Sequence, residues 1–162
     1  MRLYIKQKVF SFGDKYNIFD EWGNPKYTVQ GEVFSFGKKL HVYDLNGQEV
    51  IFIQQKVFAF MPKYFVYIRG QLAVTIVQKF TMFRPHFNVE GTDLRVEGEF
   101  FAHDFRLVNG QGQVVMILNK KYMTWGDSYQ MEISDPAMEL LCIGVNLCID
   151  AAIHDGNRNS HF

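Results

Sequence analysis

Short apolar runs that alternate with polar residues dominate the chain up to residue 133. Runs such as "KYNIF", "KLHVY" and "VIFIQQ" have the period of two that is typical of a strand with one buried face. Between them stand Gly, Asn and Pro, as in "EWGNP" and "LNGQE", which are typical of hairpin turns. No helical period of 3.6 residues appears before residue 134. The pattern predicts roughly a dozen strands in an antiparallel meander.

A repeat organises the first half of the chain. "KVFSFG" at Lys8 returns as "EVFSFG" at Glu32 and as "KVFAFM" at Lys56, so equivalent residues stand 24 positions apart. Repetition at this period indicates a repeated supersecondary unit. Because alternate residues of a strand share one face, we expect both rings of each Phe-x-Phe pair to point into the core. The rings concerned are Phe10, Phe12, Phe34, Phe36, Phe58 and Phe60, and the alternation then points Ser11, Ser35 and Ala59 outward.

The C-terminal segment breaks the strand pattern. "SDPAMELLCIGVNLCIDAAIHDGN" offers Ser134 or Asp135 as N-cap, Pro136 at the first helical position and Gly156 just past the end. These signals predict one central helix over residues 135–155. Its apolar residues surround the axis, which indicates burial on all sides. Glu139 and the polar residues that follow it interrupt the apolar run, so a core helix is favoured over a transmembrane segment.

About a dozen strands and one apolar helix predict a mainly β fold. A closed antiparallel barrel removes the exposed sheet edges, and a barrel of about twelve strands is too wide to be filled by its own side chains. The buried hydrophobic C-terminal helix would fill the lumen. We therefore expect residues 1–162 to form a single barrel domain.

Several segments together resemble a known family. The turns "IFDEWGN" and "VYDLNGQ", the segment "KKYMTWGDSYQMEI" and the closing "LLCIGVNLCIDAAIHD" are similar to the LURP-one-related family, including its YxjI-like bacterial members. The resemblance covers essentially the whole chain. It implies the tubby-like fold, a twelve-stranded barrel around a central C-terminal helix, which tubby proteins and phospholipid scramblases share.

The resemblance says little about function. Tubby-like domains bind phosphoinositides through exposed basic residues, but their lipid-binding positions cannot be matched to this sequence residue by residue. Scramblases have an acidic calcium-binding segment beside the terminal helix, whereas "DGNRNSHF" at residues 155–162 has one carboxylate. Because calcium takes about six to eight oxygen ligands, this segment disfavours scrambling.

Charge and cysteine content narrow the function classes. The chain has 17 basic and 17 acidic residues, and this balance disfavours non-specific nucleic-acid binding. The N-terminal "MRLYIKQKVF" has no apolar run of the kind found in signal peptides, so we expect a cytoplasmic protein. Cys142 and Cys148 would face different sides of the helix, which predicts two buried free thiols.

Candidate catalytic chemistry is sparse in this sequence. The histidines show no metal-ligand spacing, so we predict no metal site, no cofactor and no catalytic residue. His103 beside Asp104 suggests a general base, but neighbouring strand residues point to opposite faces, which favours a surface histidine. Asp20 and Asp44 precede equivalent turns and are expected to cap them. Gly110-Gln111-Gly112 is predicted to be a hairpin turn, because the strand-to-helix context of a dinucleotide site is lacking.

The lysines offer one candidate site. Lys38 and Lys39, with Lys120 and Lys121, flank predicted strands and would form an anion-binding or lipid-binding site if they met at one end of the barrel. The competing interpretation is that these lysines solubilise strand ends. We predict a non-catalytic cytosolic binding or scaffold module of unknown ligand. Its partner would be an anionic membrane surface, a phosphate head group or a protein. The alternatives are a single-stranded nucleic-acid binder that uses a Phe and Lys strand surface, and a small-ligand carrier at the barrel mouth.

Overall fold

The structure is a closed antiparallel barrel of twelve strands around one C-terminal helix. This computed structural model describes residues 1–6, 15–32, 36–81, 84–123 and 126–159. Each strand pairs with its chain neighbours, and pairing between β1 and β12 closes the barrel. The fold class predicted from the sequence is thereby confirmed. The strands are Arg2–Lys6 (β1), Lys15–Phe19 (β2), Pro25–Gly31 (β3), Lys39–Tyr43 (β4), Glu49–Gln55 (β5), Lys63–Ile68 (β6), Gln71–Thr81 (β7), Arg84–Glu90 (β8), Arg95–Glu99 (β9), Asp104–Val108 (β10), Val114–Met123 (β11) and Gly126–Ile133 (β12).

The 24-residue repeat is a repeat of hairpins. The strand pairing shifts by one residue, as in a β-bulge, opposite Ile18/Phe19, Val42/Tyr43 and Val66/Tyr67, each beside a turn at the same end of the barrel. A bulge increases the local twist of a strand, which helps a sheet to curve into a closed barrel. The repeated unit therefore supplies curvature at regular intervals around the wall.

The central helix occupies the lumen. A 3-10 turn at Pro136–Met138 leads into helix α1, Glu139–Asn159, and the Asp135 side chain caps the start by accepting a bond from the Ala137 N–H at 3.0 Å. Helix and wall share one core of buried side chains. Those of the wall include Leu3, Ile18, Val29, Val42, Ile53, Val66 and Ile76, and those of the helix include Cys142, Ile143, Val145, Leu147, Cys148 and Ile149.

The 3-10 turn and most of α1 together, Pro136–His154, are long and apolar enough to cross a membrane by length and composition, with a mean hydropathy of 1.6. In the structure α1 lies inside the barrel, and the buried thiols predicted at Cys142 and Cys148 are confirmed. The predicted helix end is wrong. Gly156 lies within α1, which continues to Asn159. A helix tolerates one glycine because the cost relative to alanine is only about 1 kcal/mol.

The predicted burial of the Phe-x-Phe rings is also wrong where the structure describes them. Phe36 lies in the β3–β4 connection, and Phe58 and Phe60 lie in the β5–β6 connection, outside any strand. Their exposed fractions are 72%, 93% and 99%. The physical reason is that aliphatic wall residues and the helix already fill the lumen. Phe10, Phe12 and Phe34 lie outside the described residues.

Candidate functional site

The two ends of the barrel differ in charge. In an antiparallel meander alternate connections lie at opposite ends, so the β3–β4, β5–β6 and β9–β10 connections share one end with the C-terminal half of α1. We call this the lysine-rich end. Among residues whose side chains the structure describes, it has nine lysines and four carboxylates: Lys6, Lys15, Lys38, Lys39, Lys56, Lys63, Lys79, Lys120 and Lys121 against Glu32, Glu99, Asp104 and Asp150.

The opposite, acidic end reverses this ratio. Counted in the same way, among residues with described side chains, this end has nine carboxylates and four basic residues. They are Asp20, Glu21, Asp44, Glu49, Glu90, Asp93, Glu132, Asp135 and Glu139 against Arg2, Lys26, Arg69 and Arg95. The zero net charge of the chain therefore conceals a separation of charge along the barrel axis. Such a field orients the molecule toward a charged partner.

The four lysines singled out in the sequence all lie at the lysine-rich end, but they divide between two faces of the wall. Lys38 is buried, and its ammonium donates to the Ala151 carbonyl of α1 at 3.0 Å. Lys120 shares the inward parity of buried Met116 and Leu118 on β11. Lys39 and Lys121 have the outward parity, and the Lys39 ammonium lies 3.9 Å from the Glu32 carboxylate.

The inward pair of lysines belongs to a polar cluster around Asp150. The Asp150 carboxylate lies 3.8 Å from His103 Nδ1 and interacts electrostatically with His154 and Lys38, while Lys120 interacts with His103. The His103 ring packs on the Tyr129 ring with centroids 4.4 Å apart. We call this group the Asp150 cluster. It joins α1 to the residues that immediately precede β4 and β10, and to β11 and β12, at the lysine-rich end.

Burial governs titration in this cluster. Desolvation raises the pKa of Asp150, although His103, His154 and Lys38 act in the opposite direction. Desolvation also lowers the pKa of His103, because its effect and that of Lys120 outweigh the attraction of Asp150. Both pKa shifts are in the direction that favours the neutral forms of Asp150 and His103.

The prediction of a surface histidine at position 103 is wrong. Only 20% of the His103 side chain is exposed, and its acidic neighbour in space is Asp150 instead of the exposed Asp104. His103 adopts a left-handed backbone conformation, φ 51°, which ends the short 3-10 turn Phe100–Ala102 and directs the chain into β10. Sequence reasoning missed this pair because 46 intervening positions separate residues that only barrel closure brings together.

Chemically, the Asp150 cluster holds the helix in the barrel. The buried Lys38 ammonium bonds a helix carbonyl, and a separation of 3.8 Å between His103 and Asp150 exceeds hydrogen-bonding distance. The His103–Asp150 pair therefore lacks the orienting hydrogen bond that is typical of an activated histidine. Among the described residues, no three His, Cys, Asp or Glu side chains are placed to hold a metal ion.

The acidic end consists of capped turns, as predicted. Asp20 Oδ1 accepts bonds from the Trp22 and Asn24 N–H groups at 3.0 and 2.8 Å, and Asp44 Oδ1 accepts equivalent bonds from Asn46 and Gln48 at 2.9 and 3.0 Å. The predicted turn around Gly110 has the same geometry. There Asn109 Oδ1 accepts bonds from Gln111 and Gln113 at 3.0 and 2.9 Å. The Asp20 and Asp44 carboxylates, like the Asn109 amide, are therefore engaged in turn formation.

A histidine on the outer wall is also bound by two carboxylates. His41 lies 2.7 Å from Glu32 through Nε2 and 2.7 Å from Glu49 through Nδ1. Desolvation lowers the pKa of His41, but hydrogen bonds to Glu49 and Glu32 outweigh it and the net shift is upward. The ring also stacks on Phe52, with centroids 5.0 Å apart.

The exposed phenylalanines are the feature that sequence reasoning placed incorrectly. Phe36, Phe58 and Phe60 lie at the lysine-rich end, where hydrophobic pattern alone predicted buried strands. A local signal did exist. Gly37 directly follows Phe36, and Pro62 follows Phe60 after one residue, and both residues are more typical of connections than of strand interiors.

Comparison with known proteins identifies the family. The family model described as LURP-one-related matches residues 1–150. This chain belongs to the LURP-one-related family. A relative from Bacillus subtilis (strain 168), named "Uncharacterized protein YxjI", is 30% identical over 162 residues, which cover 100% of this chain and 99% of the relative.

A solved structure has a similar fold. The X-ray structure of an Arabidopsis thaliana protein matches with a TM-score of 0.61 over 93% of this chain and 90% of that one, at 17% sequence identity. At this identity the likeness concerns the fold alone. The barrel with its helix thus has a counterpart of known structure, and the residues that distinguish this chain functionally are those at the lysine-rich end.

Proposed function

We propose that this LURP-one-related protein is a non-catalytic binding module whose lysine-rich end binds an anionic partner. The observation that carries the proposal is the separation of charge, with nine described lysines at one end of the barrel and nine described carboxylates at the other. A low-dielectric barrel with this arrangement presents a positive potential at one end although its net charge is zero.

Three observations support binding over catalysis or transport. The helix occupies the lumen that a small-ligand carrier would need, and its buried residues share one core with the wall. In the Asp150 cluster, His103 Nδ1 lies 3.8 Å from the Asp150 carboxylate, which is too far for the hydrogen bond that typically orients a catalytic histidine. Lysines with exposed side chains, among them Lys56 and Lys121, remain accessible to an anion.

Charge neutralisation at each end of the barrel tests the proposal. The test variant Lys39→Gln/Lys56→Gln/Lys121→Gln removes three positive charges from the lysine-rich end. The matched control Arg2→Gln/Arg69→Gln/Arg95→Gln removes the same charge from the acidic end. The probes are phosphatidylcholine vesicles with and without phosphatidylserine, measured by flotation, and soluble inorganic polyphosphate.

We expect the parent protein to bind both anionic probes and to release them as salt rises. Each lysine near an anionic surface contributes about 1 kcal/mol, so the test variant should bind about a hundred-fold more weakly. The control should retain most of its affinity. Equal losses in the two variants, or a parent protein that binds neither anionic probe, would refute the proposal.

A further inference from the structure

Three phenylalanine rings project from the lysine-rich end into solvent. Phe36, Phe58 and Phe60 have exposed fractions of 72%, 93% and 99%, and we call them the aromatic patch. The Phe36 and Phe58 rings contact each other with centroids 5.9 Å apart and a tilt of 57°. Rings of this size are normally buried, so their clustering at one end of the barrel indicates an interaction surface.

The two loops that carry the patch are bonded to each other. The Gln55 N–H donates to the Lys38 carbonyl at 2.8 Å, and the Lys38 N–H donates to Gln55 Oε1 at 3.1 Å. Gly37 has φ +80° and lies so close to Val57 that an added Cβ would be 3.0 Å from the Val57 Cγ2 methyl. These contacts connect the segment that carries Phe36 to the segment that carries Phe58 before any partner binds, which lowers the entropic cost of binding.

The backbone at Phe58 indicates that the ring is not there for folding. Phe58 has φ 59°, a left-handed conformation that is an outlier for a bulky residue and that glycine or asparagine adopts more easily. Its ring is 93% exposed, so it buries little apolar area in return. Strain without compensating packing is typical of functional positions.

Lysines adjoin the patch on the same loops and strands. Lys56 precedes Phe58 in the β5–β6 connection, Lys63 begins the strand that follows, and Lys39 begins the strand after Phe36. Exposed apolar rings in connections that also carry or adjoin lysines match the anionic face of a lipid bilayer. The rings can enter the boundary between head groups and acyl chains while the lysines remain level with the lipid phosphates.

We infer that the aromatic patch inserts into an anionic lipid bilayer and that the flanking lysines hold the lysine-rich end on its surface. This inference rests on the proposed function and narrows its partner to a membrane.

Two other partners fit the patch less well. A second copy of the chain packed through the same end would bring two sets of lysines together, and like charges repel. Single-stranded nucleic acid stacks its bases on aromatic rings that lie open on a strand face. The Phe36 and Phe58 rings instead lie in connections and tilt against each other.

Removing two of the three rings of the aromatic patch, while keeping every charge, tests insertion. The test variant is Phe58→Asn/Phe60→Ser, because asparagine tolerates the left-handed conformation at position 58. The matched control, Trp22→Ser/Leu45→Ser, removes two exposed side chains from the acidic end. Both variants should unfold in urea at concentrations close to that of the parent, since the replaced side chains are exposed.

Vesicle flotation and polyphosphate binding distinguish this inference from the proposed function. Each inserted ring is expected to contribute roughly a ten-fold increase in affinity, a fraction of full burial, so the test variant should bind phosphatidylserine vesicles about a hundred-fold more weakly. Its affinity for polyphosphate should remain within a factor of two or so, because the lysines are unchanged. The acidic-end control should bind both probes as the parent does.

A tryptophan reporter measures insertion directly. When phosphatidylserine vesicles are added, the tryptophan fluorescence of Phe60→Trp should shift to the blue and should be quenched by brominated acyl chains. The fluorescence of Leu45→Trp, at the acidic end, should not change. Both variants retain the two native tryptophans, which provide a common background.

Five results would overturn the membrane inference. Unchanged vesicle binding by Phe58→Asn/Phe60→Ser, or no quenching of the Phe60→Trp reporter, would refute insertion and leave the proposed function intact if polyphosphate still binds. Ring-dependent binding to a single-stranded oligonucleotide without vesicle binding would identify a nucleic-acid surface instead. Ring-dependent self-association on sizing without vesicle binding would identify a contact between copies of the chain. A parent protein that binds neither vesicles nor polyphosphate would refute both proposals.

Discussion

Replacing Gly144 by alanine tests how closely the central helix lies against the barrel wall. A Cβ added at Gly144 would lie 2.7 Å from Val66 Cγ1 and 3.8 Å from Ile51 Cγ2. Carbon atoms pack best at about 3.5–4.0 Å, so the first contact is too short. Val66 is fully buried on β6 and β-branched, so its methyl group cannot rotate away without leaving a preferred rotamer.

The expected effect is the difference between two opposing contributions. Alanine gains about 1 kcal/mol of helix propensity over glycine. Forcing a methyl group into a packed core costs about 1–3 kcal/mol, and a contact at 2.7 Å belongs in the upper part of that range. We therefore expect Gly144→Ala to lower the free energy of unfolding by about 1–2 kcal/mol.

Urea denaturation followed by circular dichroism measures this loss, and a double-mutant cycle assigns it to the named contact. Val66→Ala alone should cost about 2 kcal/mol because it leaves a cavity. In the double variant the methyl group that Gly144→Ala introduces occupies that space, so the combined loss should be about 1–2 kcal/mol smaller than the sum. A Gly144→Ala protein as stable as its parent, or strictly additive losses, would show that the helix does not lie this close to β6.

Three further predictions test the core and the outer wall. Truncation after Asp135 removes the helix from the lumen and should leave an unfolded or aggregated chain; a stable, soluble product would refute the threaded-helix fold. Burial, with a smaller effect of Glu139, raises the pKa of the Cys142 thiol to about 12, and burial also raises the pKa of Cys148. Both thiols should therefore resist Ellman's reagent at pH 8 until urea unfolds the protein, and rapid labelling of the native protein would contradict their burial. The raised pKa of His41 means that its stabilising effect is complete below its unfolded pKa of about 6.5 and is lost as pH rises through the folded value, so stability should fall toward pH 8 more in the parent than in His41→Gln. In an NMR titration Glu49→Gln should lower the His41 pKa, and an unchanged value would exclude that carboxylate as a cause.

Many features of the barrel follow from short stretches of sequence. Period-two runs and turn residues predicted about twelve strands, and the capping bonds of Asp20 and Asp44 confirm the predicted turns. Asp135 acts as the predicted N-cap of the segment that leads into α1. These features could be predicted because turn and cap preferences depend on residues only a few positions apart.

The candidate site was harder to predict. The four lysines were expected to act together if they met at one end, and they do share that end. Lys38, however, bonds the helix carbonyl of Ala151, and strand alternation points Lys39 away from it. Whether these lysines bind an anion stays a prediction. The partners of Lys38 depend on barrel closure and on the position of the helix, which no local pattern encodes.

The sequence by itself determined the number of strands, the turns between them and the existence of an apolar helix, because these follow from periodicity and from short-range hydrogen bonding. Only the tertiary structure decided which apolar residues are core. Helix α1 and the aliphatic wall residues fill the lumen, so Phe36, Phe58 and Phe60 remain outside, although phenylalanine is normally a buried residue. The tertiary structure also decided the distribution of charge. The charges sum to zero along the chain, but they separate to opposite ends of the barrel because antiparallel connections alternate between the two ends.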